Sequence, residues 1–535
     1  MVASHVSDAP QPREAAVILT DAQEAAVEEK QMTLREGLRV CPKAIFWSLA
    51  MSTCIVMEGY DTFLLGNLYG QPAFRKQFGV LISAATDTYE IPAQWQAGLG
   101  NGSSCGQLIG LLLGGYCSER FGFHRTAIGS LAVITCLIFM QFFAPSLPVL
   151  LAGIVLFGIP LGMLQTTPII YAQEVAPAVL RPYLTTYVNM FWAIGKLVGS
   201  GVLRGTLAIQ GDLSWRITFA IQWLWPAILI PLLCFAPESP WWLVRKGRLA
   251  DARGVLERLT TNTSRDDASG QSTHKAVAFN LDKQVALMLA TTEHERAVLA
   301  QTSYAACFKG ANLRRTLIVI GIYCVQVLSG NNLRSNSTYF LQQAGLPTSM
   351  SFNMTIVNNA LALTGGLCTW ILIPIWGRRP IYLYSLVMIP PPTNTNMSYS
   401  WAIGALLIAS SFLYNCSMGT LTNTLCTEIP STLLRSKSVV LARWCYSVMA
   451  IAGGSLTPYQ LNKSAWNWGA KTGFFWAGGC LLGAVFAFFF VPETKGRPAA
   501  EIDVLFENNV SPRRFSETPV RIAEALDEGD IVKAV

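Results

Sequence analysis

Long apolar segments separated by short polar turns make up most of the chain. Each is about 20 residues long, enough to cross ~30 Å of hydrocarbon as a helix. We expect such spans at residues 44–66, 94–117, 126–144, 148–170, 184–206, 218–236, 315–341, 351–374, 379–392, 401–427, 439–460 and 472–491. The ninth is short because Pro390, Pro391 and Pro392 end it. The pattern predicts an all-α membrane protein with 12 transmembrane helices.

The composition agrees with this pattern. Of the 535 residues, 52% are hydrophobic and only 13% are charged, against about 25% charged in soluble domains. Basic residues cluster in the turns on one side of the predicted helices, so the positive-inside rule makes that side, and both termini, cytosolic. The net charge of +7 is therefore a topology signal and does not indicate a nucleic-acid partner.

These boundaries divide the chain into five parts. Residues 1–43 form a disordered cytosolic tail without a cleavable signal peptide, and 44–236 form an N-terminal half of six helices. Residues 237–312 are polar, with helix-like stretches, and form a cytosolic connector. Residues 313–492 form a C-terminal half of six helices, and 493–535 a second cytosolic tail.

Three short polar motifs occur twice at nearly one spacing. EVAPAVLR at 174–181 returns as EIPSTLLR at 428–435, FGFHR at 121–125 as WGRRP at 376–380, and PESP at 237–240 as PETK at 492–495. The offsets are 254, 255 and 255 residues. Two homologous halves of membrane helices are the construction of a transporter.

The repeated motifs place acidic and basic side chains together at helix ends on the cytosolic side. Opposite charges there can close that side in one state and separate in another. Taken one by one, the same residues could be simple topology anchors. The predicted gating set is Arg120, Arg125, Glu174, Arg181, Glu238, Arg378, Arg379, Glu428, Arg435 and Glu493.

Glycines recur every four residues in the second span, from Gly98 to Gly114, and Gly195 and Gly199 repeat the spacing in the fifth. Such a helix face lets a neighbouring helix approach closely. Static packing and sliding between helices both use this arrangement, and the sequence leaves the two open.

Polar residues inside the spans are the candidates for solute and proton binding. A charge at the bilayer centre costs about 2.5 to 3.5 kcal/mol on insertion scales, so such a charge should face a cavity and pair with a partner or a ligand. For each amide the alternative is a plain interhelical hydrogen bond. The set comprises Glu58, Asp61, Gln107, Gln165, Lys196, Gln222, Gln326, Asn331, Asn332, Arg334 and Asn423.

Nothing in the sequence indicates a metal, a cofactor or an enzyme. The 13 cysteines lack CxxC or Cys/His metal spacing, and no nucleophile elbow occurs. A nutrient sensor that does not transport is a further alternative, but such sensors carry long cytosolic tails and only residues 493–535 follow the last span. We expect a monomeric carrier whose partners are a small solute, protons and the lipid bilayer.

With these residues in view, the chain resembles the sugar-porter branch of the major facilitator superfamily, and within it the fungal maltose and α-glucoside permeases. The strings PESPWWLVRKGR, EIPSTLLRSKSVVLAR and AWNWGAKTGFFWAG carry the resemblance, which runs end to end. It implies proton-driven sugar uptake by alternating access in the fungal plasma membrane. Glu58 and Asp61 are the matching acidic positions, and with Gln107 they form the predicted proton-coupling set.

The chain departs from that pattern where sugar contacts are expected. Gln107 takes the place of the family's glutamate in the second span, and Lys196 that of its sugar-binding glutamine in the fifth. Asn423 replaces the family's aromatic residue in the tenth span. In the seventh span Gln326, Ser329, Gly330 and Asn332 are retained, whereas Val327 replaces a glutamine and Arg334 is added. The predicted solute-binding set is Gln165, Lys196, Gln222, Gln326, Asn331, Asn332, Arg334 and Asn423.

These departures leave three interpretations open. Lost negative and gained positive charge favour an acidic or secondary-metabolite solute. Glu58 and Asp61 could instead neutralise the two new cations as structural ion pairs, and an ordinary α-glucoside is the third possibility.

Overall fold

A computed structural model gives the fold of the chain. It describes residues 24, 32–83, 88–177, 180–261, 280–301, 304–376, 397–431, 434–462, 464–494, 502, 505–508, 510–515 and 518. Helices run along the predicted spans, and the spans keep their numbers below. In the N-terminal half the helices are Pro42–Ser52 and Cys54–Asn67 (span 1), Ala93–Phe121 (span 2), Phe123–Phe142 (span 3), Leu147–Val175 (span 4), Arg181–Thr206 (span 5), and Leu213–Ala220 with Leu224–Cys234 (span 6).

The C-terminal half repeats this arrangement. Its helices are Gly310–Leu328, Asn331–Ser335 and Ser337–Gln343 (span 7), Thr348–Trp376 (span 8), Met397–Cys416 with Met418–Glu428 (span 10), Arg435–Leu461 (span 11) and Thr472–Phe490 (span 12). Span 9, predicted at 379–392, lies outside the described residues. Six of the described helices are long and apolar enough to cross a membrane: those of spans 3, 4, 6, 7, 11 and 12.

Breaks in the helices follow local backbone chemistry. Span 7 turns at Gly330, whose φ of 80° lies in the left-handed region that glycine adopts without penalty. After the break a short helix begins at Asn331. It follows directly on the helix Gly310–Leu328, whose last turn contains Gln326. Span 7 can therefore present side chains from two helix ends at one depth.

The two ends of the helix bundle carry different secondary-structure elements. One, the connector face, has the helices Leu34–Val40, Pro240–Arg245, Leu249–Leu259 and Leu281–Gln301. The other, the hairpin face, carries the helix Pro72–Phe78 and a two-stranded antiparallel sheet of β1 (Val80–Ser83) and β2 (Thr88–Glu90), in which Val80 pairs with Glu90. The polar residue pairs discussed below lie between these faces or at them.

The glycine stripe of span 2 packs against span 4 of the same half. A Cβ at Gly106 would overlap the carbonyl oxygen of Val155, and one at Gly110 that of Ile159. In the same way Gly195 of span 5 adjoins the backbone of span 1 at Val56. Because both close approaches are within the N-terminal half, the stripe favours static packing over sliding between halves.

The halves are joined near the hairpin face. The large apolar core of the N-terminal half extends into the C-terminal half through residues such as Tyr339, Phe340 and Trp476 at that end. A second core belongs to the C-terminal half alone and includes Phe506 and Phe515 from the segment after span 12.

Candidate functional site

Glu58 is a buried carboxylate at the centre of span 1. Its side chain is 5% exposed. Gln165 of span 4 donates a hydrogen bond from Nε2 to Glu58 Oε1 at 2.8 Å. The neutral amide satisfies one carboxylate oxygen whether or not the group carries a proton.

Asp61 lies one turn further along span 1 and is 1% exposed. Gln222 Nε2 of span 6 donates to Asp61 Oδ1 at 2.9 Å, and Ser103 Oγ of span 2 donates to Oδ2 at 3.4 Å. Gln107 Nε2 in turn donates to Ser103 Oγ at 3.4 Å. The three residues predicted for proton coupling thus meet at one place, with Gln107 connected to Asp61 through Ser103.

Two cations face the interface between the halves and rest on aromatic rings. Lys196 Nζ lies 3.7 Å from the centre of the Trp192 ring, and the Arg334 guanidinium lies 4.1 Å from the centre of the Tyr414 ring. Arg334 also donates to the carbonyl oxygen of Ser329 at 2.8 Å and to its hydroxyl at 3.0 Å. Its Nε is buried and has no hydrogen-bond partner.

The predicted alternative of structural ion pairs does not match this arrangement. Among the described residues, neither Lys196 nor Arg334 has a carboxylate oxygen within 4.0 Å. Lys196 instead experiences the repulsion of Arg334. The carboxylates Glu58 and Asp61 are held by neutral groups, so the two cations remain without a neutralising side chain within 4.0 Å.

Sequence reasoning missed a third cation, Arg443 of span 11. Its guanidinium lies 4.9 Å from the Tyr446 ring centre and 5.9 Å from that of Tyr323, and it hydrogen-bonds Tyr323. It also attracts Glu58 electrostatically across the two halves. The residue lies within the predicted span 439–460, so the rule that selected Lys196 and Arg334 would have found it.

The remaining predicted solute-binding residues surround the break in span 7. Gln326 hydrogen-bonds the Tyr414 side chain, and Asn332 Nδ2 donates to the carbonyl oxygen of Ala450 at 3.4 Å. Asn331 is partly buried at the start of the short helix. Asn423 belongs to a described helix, but its side chain lies outside the described set.

The repeated motifs of the connector face form equivalent contacts in the two halves. Ser239 Oγ donates to Glu174 Oε2, and Thr494 Oγ1 donates to Glu428 Oε2 at 2.5 Å. Arg245 adds an ion pair to Glu174 at 2.7 Å. Each of these contacts braces helices of one half or its adjoining connector, which supports the duplication found in the sequence.

Other predicted gating residues take different positions. Glu238 Oε1 accepts from the backbone amides of Phe123 and His124 at 2.9 and 3.3 Å, which caps the start of span 3. Arg120 donates to the Tyr116 hydroxyl at 2.8 Å, Arg125 is exposed and Glu493 is partly buried. Arg378 and Arg379 lie outside the described residues, as do the side chains of Arg181 and Arg435.

Hydrogen bonds between the halves concentrate at the hairpin face. The buried Glu90 accepts from the Tyr339 hydroxyl at 2.5 Å and from Gln343 Nε2 at 3.0 Å. Asn67 Nδ2 donates to the carbonyl oxygen of Ser335 at 2.8 Å, and its Oδ1 accepts from the backbone amide of Thr338 at 3.0 Å. This cluster, called the outer clasp below, was missed because Asn67, Glu90 and Gln343 lie just outside the predicted spans, and only polar residues within spans were considered.

Asparagine side chains continue the contact between the halves towards span 11. Asn101 Nδ2 of span 2 donates to Ser455 Oγ at 2.8 Å, and Asn462 Nδ2 donates to the carbonyl oxygen of Ile91 at 2.9 Å. The halves are therefore tied at the hairpin face. No group of three or more metal-binding side chains occurs in the part of the chain that the structure describes.

Comparison with known proteins places this arrangement in a family. The family model "Sugar (and other) transporter" matches residues 47–506. The chain belongs to this family. It is a multi-pass membrane transporter, not an enzyme, and the major facilitator fold predicted from the sequence is confirmed.

Relatives and solved structures agree with that assignment. The general alpha-glucoside permease of Saccharomyces cerevisiae is 41% identical over 512 residues, which cover 94% of this chain and 81% of the relative. The maltose permease MAL31 of the same yeast is 37% identical, covering 94% and 82%.

Among solved structures, an inward-open xylose transporter XylE of E. coli matches with a TM-score of 0.67 at 20% identity, over 86% of this chain and 99% of that one. XylE, described as a proton:xylose symporter, bound to 6-bromo-6-deoxy-D-glucose gives a TM-score of 0.64 at 19% identity, covering 86% and 99%. At these identities the match establishes the fold.

Proposed function

We propose that this transporter is a proton-coupled carrier of α-glucosides that works by alternating access. The permeases that it resembles are named for α-glucosides and maltose. Span 1 contributes two buried carboxylates, Glu58 and Asp61, and a carboxylate inside a membrane is the usual proton-carrying group of a pump or symporter.

The proposed proton coupling rests on the surroundings of the buried Asp61 carboxylate. Its described hydrogen-bond donors, Gln222 and Ser103, are both neutral. The carboxylate can therefore take up or release a proton without breaking an ion pair, and both donors can reorient when the proton arrives. A group so placed can carry a proton while the halves exchange access.

We expect Asp61→Asn to abolish accumulation of a labelled α-glucoside against its gradient while sparing exchange. Asparagine keeps the size and one acceptor of the carboxylate but cannot carry a proton. The measurement is uptake into proteoliposomes with an imposed pH gradient, beside counterflow without one. Asp212→Asn, the same change at an exposed aspartate paired with Arg216, is the control. Undiminished accumulation in Asp61→Asn would remove Asp61 from the mechanism.

A second candidate, an acidic solute, is favoured by the cations of the interface. Lys196 and Arg334 rest on aromatic rings without a carboxylate within 4.0 Å among the described residues, and Arg334 Nε is an unpaired buried donor. A ligand carboxylate would supply both the missing charge and the missing acceptor. Hydrogen bonds between charged groups are about twice as strong as neutral ones.

Under this candidate, Lys196→Gln combined with Arg334→Met lowers the affinity for the native solute at least tenfold, about 1.4 kcal/mol. Preference should move towards neutral sugars, measured by competition of sugars and carboxylates against one labelled solute. Lys246→Gln and Arg216→Met are matched controls, because both cations also lie over aromatic rings, those of Trp242 and Trp215, but outside the interface. A wild type that transports maltose and ignores every acid tested would exclude the acidic solute.

The membrane orientation is part of the proposal. Basic side chains such as Arg120, Arg125, Arg245 and Lys246 lie at the connector face, so this face and both tails are cytosolic. Protease added to intact fungal cells should spare the tails and the connector if the carrier resides in the plasma membrane. Cleavage of residues 237–312 from outside would reverse the orientation.

A further inference from the structure

A cavity of about 450 Å³ lies near the hairpin face, between the ends of spans 11 and 12. It is lined by Leu456 and Gln460 of span 11, Trp466 and Trp468 of the following loop, and Phe475 in the first turn of span 12. None of these residues belongs to the predicted solute-binding set. The volume falls within the range of small-molecule sites, roughly 300 to 1,000 Å³.

Aromatic rings form one wall of this cavity. The centres of the Trp466 and Trp468 rings are 5.4 Å apart, and the centre of the Phe475 ring lies 6.4 Å from that of Trp468. The backbone amide of Trp468 donates to the carbonyl oxygen of Gln460 at 2.8 Å, and that of Trp466 to the one of Tyr459 at 3.1 Å. The loop is therefore held against the end of span 11, and the wall is formed in advance of any ligand.

Gln460 supplies the cavity with a carboxamide. Its side chain is fully buried, and neither Nε2 nor Oε1 has a hydrogen-bond partner in the part of the chain that the structure describes. Buried polar side chains are normally hydrogen-bonded, so this amide has one donor and one acceptor to offer to a ligand. A single hydroxyl can satisfy both, because it accepts from an N–H group and donates to a carbonyl oxygen.

The cavity adjoins the lipid-facing side of span 12. Phe475, Leu482 and Phe489 are exposed and follow one another at intervals of seven residues, which places them on nearly one helix face. Such an exposed apolar stripe on a span faces lipid tails, which are as apolar as leucine. The exposed Trp466 and Trp468 occupy the level at which aromatic belts meet the headgroups. A ligand can therefore reach the cavity from the bilayer.

The lining favours a sterol. A sterol has a flat apolar ring system, which matches the aromatic wall, and one hydroxyl at headgroup depth, which matches the Gln460 amide. A sugar carries many hydroxyls, and apolar walls would leave most of them without partners, at a cost in binding free energy. A phospholipid headgroup brings a charged phosphate, and none of the described lining residues is a cation.

We propose that this cavity is a sterol-binding site. The sterol hydroxyl accepts a hydrogen bond from Gln460 Nε2 and donates one to Gln460 Oε1, while the ring system lies against the aromatic wall and Leu456. The inference goes beyond the proposed function, because the sterol is a component of the bilayer and is not carried across it.

The test uses the full-length transporter in phosphatidylcholine nanodiscs and a tritiated sterol that carries a photoreactive diazirine. In the wild type we expect saturable labelling within residues 456–475 that unlabelled sterol displaces. Gln460→Leu keeps most of the side-chain volume but removes the amide, so it should weaken binding about tenfold. Gln141→Leu is the matched control, because this buried amide of span 3 also lacks partners among the described residues but does not line the cavity. It should bind the sterol as the wild type does.

A second measurement changes the ligand and leaves the protein intact. A sterol ketone, in which the hydroxyl is oxidised to a carbonyl, can accept from Nε2 but leaves Oε1 unpaired. It should bind the wild type about tenfold more weakly than the hydroxylated sterol, whereas Gln460→Leu should bind the two alike. Leu456→Trp, which fills the cavity, should abolish the labelling.

Equal affinity of the wild type and Gln460→Leu would overturn the inference, as would equal affinity of the wild type for the hydroxylated sterol and the ketone. Displacement of the label by maltose would identify a sugar site instead. Displacement by an anionic phospholipid, lost in a variant of the exposed Lys471 at the start of span 12, would identify a phospholipid site; either result also overturns the inference. Because sterol binding is measured without a solute gradient, its outcome is independent of the proposed transport.

Discussion

The two faces of the transporter use hydrogen bonds in opposite ways. At the hairpin face, buried donors and acceptors from different halves meet, as in Glu90 with Tyr339. At the connector face, the repeated motifs bind partners of their own half or the adjoining connector, as in Glu174 with Ser239 and Arg245. The first arrangement ties the halves together, and the second stiffens each half as a rigid body.

This difference explains how a duplicated chain can have an asymmetric state. Glu428 with Thr494 repeats Glu174 with Ser239 across the duplication, so the rigid-body braces come from the ancestral repeat. The outer clasp has no such repeat, because β1, β2 and the helix Pro72–Phe78 follow span 1 and belong to the N-terminal half. Opening the hairpin face must break the clasp, whereas the braces can remain intact.

The largest effect is expected from the outer clasp. Tyr339→Phe removes the hydroxyl that donates to the buried Glu90 carboxylate, and losing a hydrogen bond to a charged group costs about 1.5 to 3 kcal/mol. The equilibrium should shift towards an open hairpin face by roughly 10- to 100-fold.

Energy transfer between dyes on the hairpin-face ends of the two halves would measure the shift. Tyr459→Phe, the same substitution at a tyrosine of span 11 that packs on Trp466, is the control. Equal populations in Tyr339→Phe and the wild type would show that the clasp does not hold the face closed.

A smaller effect is expected at the connector face. Glu174→Gln weakens an ion pair with the partly exposed Arg245. Such a pair contributes about 1 kcal/mol, which is roughly a fivefold change in an equilibrium constant. Glu428→Gln should act in the same direction: each half loses stiffness, so turnover should slow more than solute binding weakens. Transport rates and affinities of the two variants would be compared in proteoliposomes. Unaltered turnover in both would leave these glutamates as topology anchors.

The apolar pattern was sufficient to predict most of the fold. Eleven of the 12 predicted spans coincide with described helices, because a helix that crosses a bilayer must satisfy its backbone within about 20 apolar residues. The breaks were not predicted. Span 1 is interrupted at Thr53, within an apolar run, and span 7 at Gly330, within the polar stretch SGNNLRSN.

The candidate site was predicted as a set of residue types but not as an arrangement. Charges and amides within spans stand out in the sequence, which is how Glu58, Asp61 and Lys196 were found. Their partners come from helices far apart in the chain: Gln222 reaches Asp61 over 161 residues. No local rule could assign Gln222 to Asp61 and Gln165 to Glu58, so the alternative in which these acids pair with Lys196 and Arg334 stayed open until the packing decided it.

The sequence by itself determined the membrane fold, the duplication and the family, since hydrophobic length and repeated motifs are recorded locally along the chain. Only the tertiary structure decided which polar groups meet, which face is tied, and that Arg443 lies beside the rings of Tyr323 and Tyr446. Electrostatic and hydrogen-bond partners depend on distances of a few ångströms between helices. Those distances come from how the helices pack, which the one-dimensional pattern does not contain.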